Sequence, residues 1–269
     1  MAPITYEVLA LRYGIFDGRK QFQNYIMPDD HAAPDPLDFF VFAIRGPRES
    51  TTPRTIVMDT GFNAASAKRR GREIICTPDV ALRNAGIEPA TVKDVVLTHM
   101  HWDHAGGMEY FPAATFHIQA EEMAYCTGPC MCQPFLRRPF DVEDVQSAIR
   151  ALYADRLRVH QGTVELAPGV SLHLIGGHSG GIQSIRVPTA RGWVVLAGDA
   201  VHLWGNIRKR NPFPVLVDVA RMLRGFDTIE GLADGPDHVI PGHDPLILHR
   251  FPPLGTNRDI VQLHLAPVG

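Results

Sequence analysis

Short β-rich runs closed by Gly, Pro, Asn or Asp recur along the whole chain, and few helical patterns fall between them. Residues 6–13, 39–44, 55–59, 95–99, 115–119, 164–166, 171–175, 184–188, 193–198 and 238–240 read as strands, because β-branched and aromatic residues either alternate there or form continuous apolar runs. Apolar residues three and four apart, the helical spacing, are confined to 79–85, 120–126, 142–156 and 215–223, and Asp141 stands where an N-cap for the third belongs. Residues 167–170 and 189–192 have the composition of hairpin turns, which makes the middle of the chain antiparallel. Helices interspersed along a β-rich chain predict an α+β architecture of two mainly antiparallel sheets packed together with helices outside. No linker, charge run or short repeat divides the 269 residues, so one domain spanning 1–269 is expected. The Pro-rich stretch 28–36 reads as one long loop.

Charge and cysteine usage exclude several classes. With 26 basic against 29 acidic side chains the net charge is −3, which gives no electrostatic reason to expect nucleic acid or an anionic membrane as partner. No run approaches the ~20 apolar residues of a spanning helix, and Glu7 and Arg12 interrupt the N-terminal apolar run. A cytoplasmic location is therefore expected. Four cysteines are too few for a disulfide framework. Cys126, Cys130 and Cys132 cluster but lack paired C-x2-C knuckles, so they read as loop thiols rather than a thiolate metal site. The unusual count is histidine, at 13.

Four of the potential ligands fall together. The strand at 95–98 runs into His99-Met100-His101-Trp102-Asp103-His104-Ala105-Gly106-Gly107. In an extended chain alternate residues share a face, so His99 and His101 aim at one point while Met100 and Trp102 face the other way. A turn there would let Asp103 and His104 aim at a second point nearby, and Gly106-Gly107 is expected to let the backbone pass close to the site before a helix starts. Imidazole with a carboxylate beside it suits a water-activating site for zinc, iron, manganese or cobalt. His178 in Gly-Gly-His-Ser-Gly-Gly, Asp199 at the end of the apolar run 193–198, and His243 after Pro241-Gly242 stand in similar strand-end contexts. Taken singly, a turn histidine or a helix N-cap would explain each of them equally well.

His-x-His-x-Asp-His, Gly-His-Ser, Gly-Asp-Ala and Gly-His-Asp, in this order, resemble the metallo-β-lactamase superfamily over residues 39–244, with Val57-Met58-Asp59-Thr60-Gly61 as its early strand and turn. Within it the motifs look most like the quorum-quenching N-acyl-homoserine lactonase and pyridoxolactonase branch. The resemblance implies an αββα sandwich and two divalent metal ions, foremost Zn2+ with iron, manganese or cobalt as alternatives. His99, His101 and His178 would hold one metal, Asp103, His104 and His243 the second, and Asp199 would bridge. It further implies a small lactone or ester as substrate, attacked by a hydroxide that the two cations share, with Asp103 passing a proton to the departing alkoxide.

One position departs from that branch. Its lactonases carry a tyrosine three residues after the bridging Asp, where this chain has His202. His202 reads either as a replacement hydrogen-bond donor, as an exposed loop histidine or as a partner orienting a ligand. Phe16, Phe22, Tyr25 and Met27 in the 14–37 loop and Phe213 in the 205–226 segment are candidates to line the mouth that these segments would cover, packing within the loops being the alternative. Arg208-Lys209-Arg210 reads as a solvated face. A thioesterase of the hydroxyacylglutathione hydrolase type would need extra basic residues for its substrate, and none stands out. A persulfide dioxygenase would use a single metal site. A homodimer is compatible with this reading.

Overall fold

Along Glu7–Phe16 the side chains divide by parity. Leu9, Leu11 and Tyr13 enter a cluster with Ala81, Leu82, Trp102 and Ala148 from the helices, whereas Val8 and Ala10 enter one with Leu172, Ile185 and Leu196 from a second sheet. The same alternation splits Gly192–Gly198: Val194 and Leu196 face the first sheet, and Val195 and Ala197 meet Met222, Phe226 and Ile229 of the helix Val219–Leu232. Period-two burial on both faces forces four layers, helix, sheet, sheet and helix. This computed structural model, which describes residues 4–46 and 54–268, has that architecture.

The larger sheet has the order Pro253–Leu254, Asn257–Gln262, Glu7–Phe16, Leu37–Gly46, Arg54–Met58, Asp94–Val96, Thr115–Gln119, Leu157–His160, with Glu73–Ile74 pairing off Glu7–Phe16. The smaller runs Val239–Pro241, Gly192–Gly198, Gln183–Thr189, Val170–Leu174, Val164–Ala167. The hairpins at 167–170 and 189–192 close as expected, with Ala167 paired to Val170 and Thr189 to Gly192. Both sheets are mixed, however. Pairing is parallel from Arg54–Met58 through Leu157–His160, and Val239–Pro241 lies parallel to Gly192–Gly198. Helices carry those crossovers, as parallel pairing requires.

Two helical expectations change. The pattern at 215–223 belongs to Val219–Leu232, started by the Asp218 carboxylate accepting from Arg221 N; before it, Val217 N and Asp218 N donate to Gly177 O. Asp141 precedes Val142–Tyr153 but does not cap it through its side chain. Its carboxylate is occupied by Ser66 Oγ at 2.7 Å, Arg69 at 2.6 Å and Arg70 at 2.7 Å. Among the described residues no helix is long and apolar enough to cross a membrane.

Candidate metal centre

Each candidate ligand lies just beyond the C-terminal end of a strand. His99 follows Asp94–Val96, His178 follows Val170–Leu174, Asp199 follows Gly192–Gly198 and His243 follows Val239–Pro241. A short helix, Trp102–Ala105, begins directly after His101 and carries Asp103 and His104, the His104 ring centroid lying 4.2 Å from that of His99. Met100 and Trp102 turn into the apolar core, as strand alternation predicts. Gly106-Gly107 follow that helix, close against the 60–62 turn and lead into the 3-10 turn Met108–Tyr110. A Cβ on Gly107 would stand 2.4 Å from Thr60 O.

The seven residues converge. Ligand atoms of His99, His101 and His178 lie within 4.8 Å of one another, and so do those of Asp103, His104 and His243. Asp199 stands between the two sets. Its Oδ1 is 2.9 Å from His243 Nε2 and 3.2 Å from His104 Nε2, while Oδ2 is 3.4 Å from His178 Nε2. Asp103 closes the second set at 3.8 Å from His104 Nε2 and 3.9 Å from His243 Nε2.

The electrostatics of the sets differ. Burial and the neighbouring imidazoles push His99 and His101 well below the usual histidine range, and burial takes His178 down to about 3, so each ring is neutral and offers one nitrogen lone pair. Burial also opposes charge on His104 and His243, but the carboxylates of Asp199 and Asp103 outweigh it and raise both. Burial would raise Asp199, yet His104, His202 and His243 hold it well below the carboxylate range. His99 Nε2, His104 Nε2 and Asp199 Oδ1 are buried and make no hydrogen bond. Orphaned nitrogen and oxygen donors that converge in this way fit divalent cations.

A second ring of contacts, which sequence reasoning missed, fixes the donors. Asp59, in the left-handed region at φ 64, places Oδ2 2.8 Å from His104 Nδ1 while Oδ1 accepts from Thr98 N at 2.7 Å. His243 Nδ1 lies 2.8 Å from Asp38 O. Contacts of this kind set tautomer and ring orientation. Glu122 is fully buried in the helix Ala120–Cys126; Oε1 accepts from Met100 N at 2.9 Å, and Oε2 accepts from Gly181 N at 2.9 Å and from the Ser179 hydroxyl. One carboxylate thus joins the loop of His99 and His101 to the loop of His178. The Val-Met-Asp-Thr-Gly motif pointed to Asp59 without a role, and nothing in the sequence distinguishes Glu122 from a solvent-facing helix acid.

His202 is buried, which removes the exposed-loop reading. Nε2 is 2.9 Å from Asp199 Oδ2, and the ring stacks on Phe213 with centroids 3.6 Å apart and 8° between planes. Burial drives His202 down to about 4, so its imidazole is neutral near pH 7. Together with His178 and Asp199 it forms a further set of close ligand atoms.

The site opens into a cleft lined in part by His101, Asp103, His178, Asp199, His202 and His243. Phe213 lines it, but Phe16, Tyr25 and Met27 do not. Phe16 lies beneath the Arg72 guanidinium, Tyr25 packs against Leu37, Leu203 and Phe213, and the Met27 side chain is 69% exposed. Met27 acts through its backbone, exchanging two hydrogen bonds with the Asn211 amide and so tying the 14–37 loop to the 205–226 segment. The third wall, from Phe135 to Pro139, was not anticipated. The cysteines are all free thiols, and none joins a group of potential metal ligands among the described residues.

Residues 50–250 match the model of the metallo-β-lactamase superfamily. The chain is 29% identical over 165 residues to the N-acyl homoserine lactonase AttM of Azorhizobium caulinodans, covering 60% of this chain and 61% of the relative. It therefore spans about three fifths of the length of that curated relative. A quorum-quenching N-acyl homoserine lactone lactonase has the same fold at a TM-score of 0.71 and 21% identity, covering 91% of this chain and 95% of the other. The dizinc quorum-quenching lactonase AidC superposes at a TM-score of 0.69 and 16% identity, covering 90% of this chain and 89% of the other.

Proposed function

The chain belongs to the metallo-β-lactamase superfamily, and from that membership we propose that it is a dinuclear-metal-dependent hydrolase that opens a lactone or a related ester. The observation that carries the proposal is Asp199, one oxygen toward each of two ligand sets. His99, His101 and His178 would hold one cation and Asp103, His104 and His243 the other, with Asp199 available to both. Zinc suits this imidazole and carboxylate set, and iron, manganese and cobalt are alternatives. The similarity to AttM and the fold shared with a dizinc lactonase support the substrate class and the metal.

Bound cations would supply a water acidified toward neutral pH and a Lewis acid for the carbonyl. The remaining steps fall to the protein. Asp103, on the cleft wall with its side chain 13% exposed, is placed to hold a proton and release it to the departing alkoxide. His202, neutral and held flat against Phe213, has one N–H, and with Nε2 2.9 Å from Asp199 Oδ2 it spends that proton on orienting the carboxylate. The 14–37 loop and the 205–226 segment, tied by Asn211, cover the cleft as parts of one domain.

A turnover screen of metal-loaded protein against acyl-homoserine lactones, aromatic lactones, acylglutathiones and persulfides tests the reading. Ring opening of a lactone is expected. Turnover of persulfides alone, or of acylglutathiones alone, would replace it.

A further inference from the structure

Four arginines, Arg19, Arg70, Arg72 and Arg138, line the same cleft as the candidate ligands, and the carboxylates on its wall are Asp103 and Asp199. Both acids belong to the metal set proposed above and are not free to neutralise the arginines. Arg70 is already paired, with Nη2 2.7 Å from Asp141 Oδ1 and its guanidinium over the Trp102 ring. Arg19, Arg72 and Arg138 have no carboxylate within 4.0 Å among the described residues.

Neutral groups hold two of these cations in place. Arg72 donates Nη1 to Arg70 O at 2.6 Å and lies 3.7 Å over Phe16, while its Nε is buried without a partner. Arg19 donates to Asn24 Oδ1 and to Gln23 O, each at 2.6 Å, and sits 4.8 Å from the centroid of Phe213, the ring that stacks on His202. Such partners aim a guanidinium without cancelling its charge. Burial, and then the charge of Arg72, brings Arg19 down to about 10; burial lowers Arg72 as well, with Arg70 and Arg138 adding to the fall against the pull of Asp103. Cations crowded onto a partly desolvated wall are costly until an anion completes them. A guanidinium fork matches the oxygens of a carboxylate or phosphate. The body of an acyl-homoserine lactone is neutral and would leave all three unpaired.

Resting on the hydrolase reading above, we propose that the ester substrate carries a second, anionic group, a carboxylate or a phosphate, received by Arg19, Arg72 and Arg138 while the scissile ester faces the metal ligands. Leu136, Leu216 and Val217 on the same wall give the connecting carbon skeleton an apolar bed. The extra basic residues absent from the sequence reading are therefore present. They were hidden because Arg19, Arg72 and Arg138 come from separate parts of the chain.

The test compares γ-lactones that bear a carboxylate, a phosphate or a neutral primary amide on the same short linker, using metal-loaded protein. At least one anionic lactone should exceed the amide in kcat/KM by roughly 10-fold or more, the scale of one charge-assisted contact. That ratio should fall toward one in Arg72→Gln and stay as in the wild type in the exposed control Arg224→Gln. A folding defect would depress both substrates together and leave the ratio intact; if Arg72→Gln does not fold, Arg19→Gln reads the same ratio. A wild-type ratio near one, or a ratio unmoved by either cleft variant, would overturn the proposal while leaving the hydrolase in place. If no lactone is opened, the hydrolase reading fails instead, and calorimetric binding of the intact lactones decides the anion site. Tighter binding of an anionic member, lost in Arg72→Gln, supports the site, and equal binding of all three refutes it.

Discussion

Asp199 is where the two halves of the centre meet, and its chemistry leaves little room for substitution. Asn in its place would offer one acceptor and one donor, so an N–H would face either the nitrogens of His104 and His243 or that of His178. Asp199→Asn is expected to lose bound metal and hydrolysis together, as metal analysis beside turnover would record; a fully metallated, active variant would remove its shared role. His202 presents a different balance. The imidazole is neutral, buried against Phe213 and turned to Asp199, and His202→Ala should cost roughly 10–100-fold in metal affinity or activity, the scale of losing a group that orients a ligand. Wild-type kinetics and metal affinity in that variant would reduce His202 to a packing residue.

At the scale of elements, the helix Ala120–Cys126 acts on the candidate ligands without supplying one. Glu122 accepts from Met100 N, Gly181 N and the Ser179 hydroxyl, and Glu122→Gln turns one of those contacts into a donor facing a donor. The loops carrying His99, His101 and His178 should loosen, and chelator competition should find one metal equivalent bound roughly 10–100-fold more weakly beside an unchanged one. Equal affinity for both equivalents would make Glu122 a structural acid only. The helix Val142–Tyr153 carries a separate cost. Burial, followed by repulsion from Asp141, raises Asp144 to about 7. The folded state therefore prefers the protonated acid, and stability is fully present near pH 4 and declines as pH rises to about 7. Asp144→Asn should raise stability by about 1–3 kcal/mol above pH 7 and by progressively less toward pH 4. Thermal melts across that range check it, and a pH-independent difference would contradict it.

For the whole molecule, what was legible in the sequence was what adjacent residues encode. Strand alternation at 6–13 and 193–198 gave the two faces of each sheet, and His99 to His104 lay close enough together to be read as one site. Asn257–Gln262 escaped because only Ile260 and Val261 in it are buried, and Leu157–His160 because it abuts a helical pattern that the reading extended to 156. The cleft walls were largely illegible. Whether Met27 points to solvent or Arg72 into a cavity depends on contacts between distant segments, which no local pattern records. The hydrolase reading itself stands on two cations acting together, and it is tested most directly by stripping the protein with chelator and following lactone ring opening as zinc is returned. Activity absent from the stripped protein and rising to a plateau at about two equivalents per chain is the expected result. A plateau at one equivalent, or ring opening that survives complete removal of metal, would contradict it.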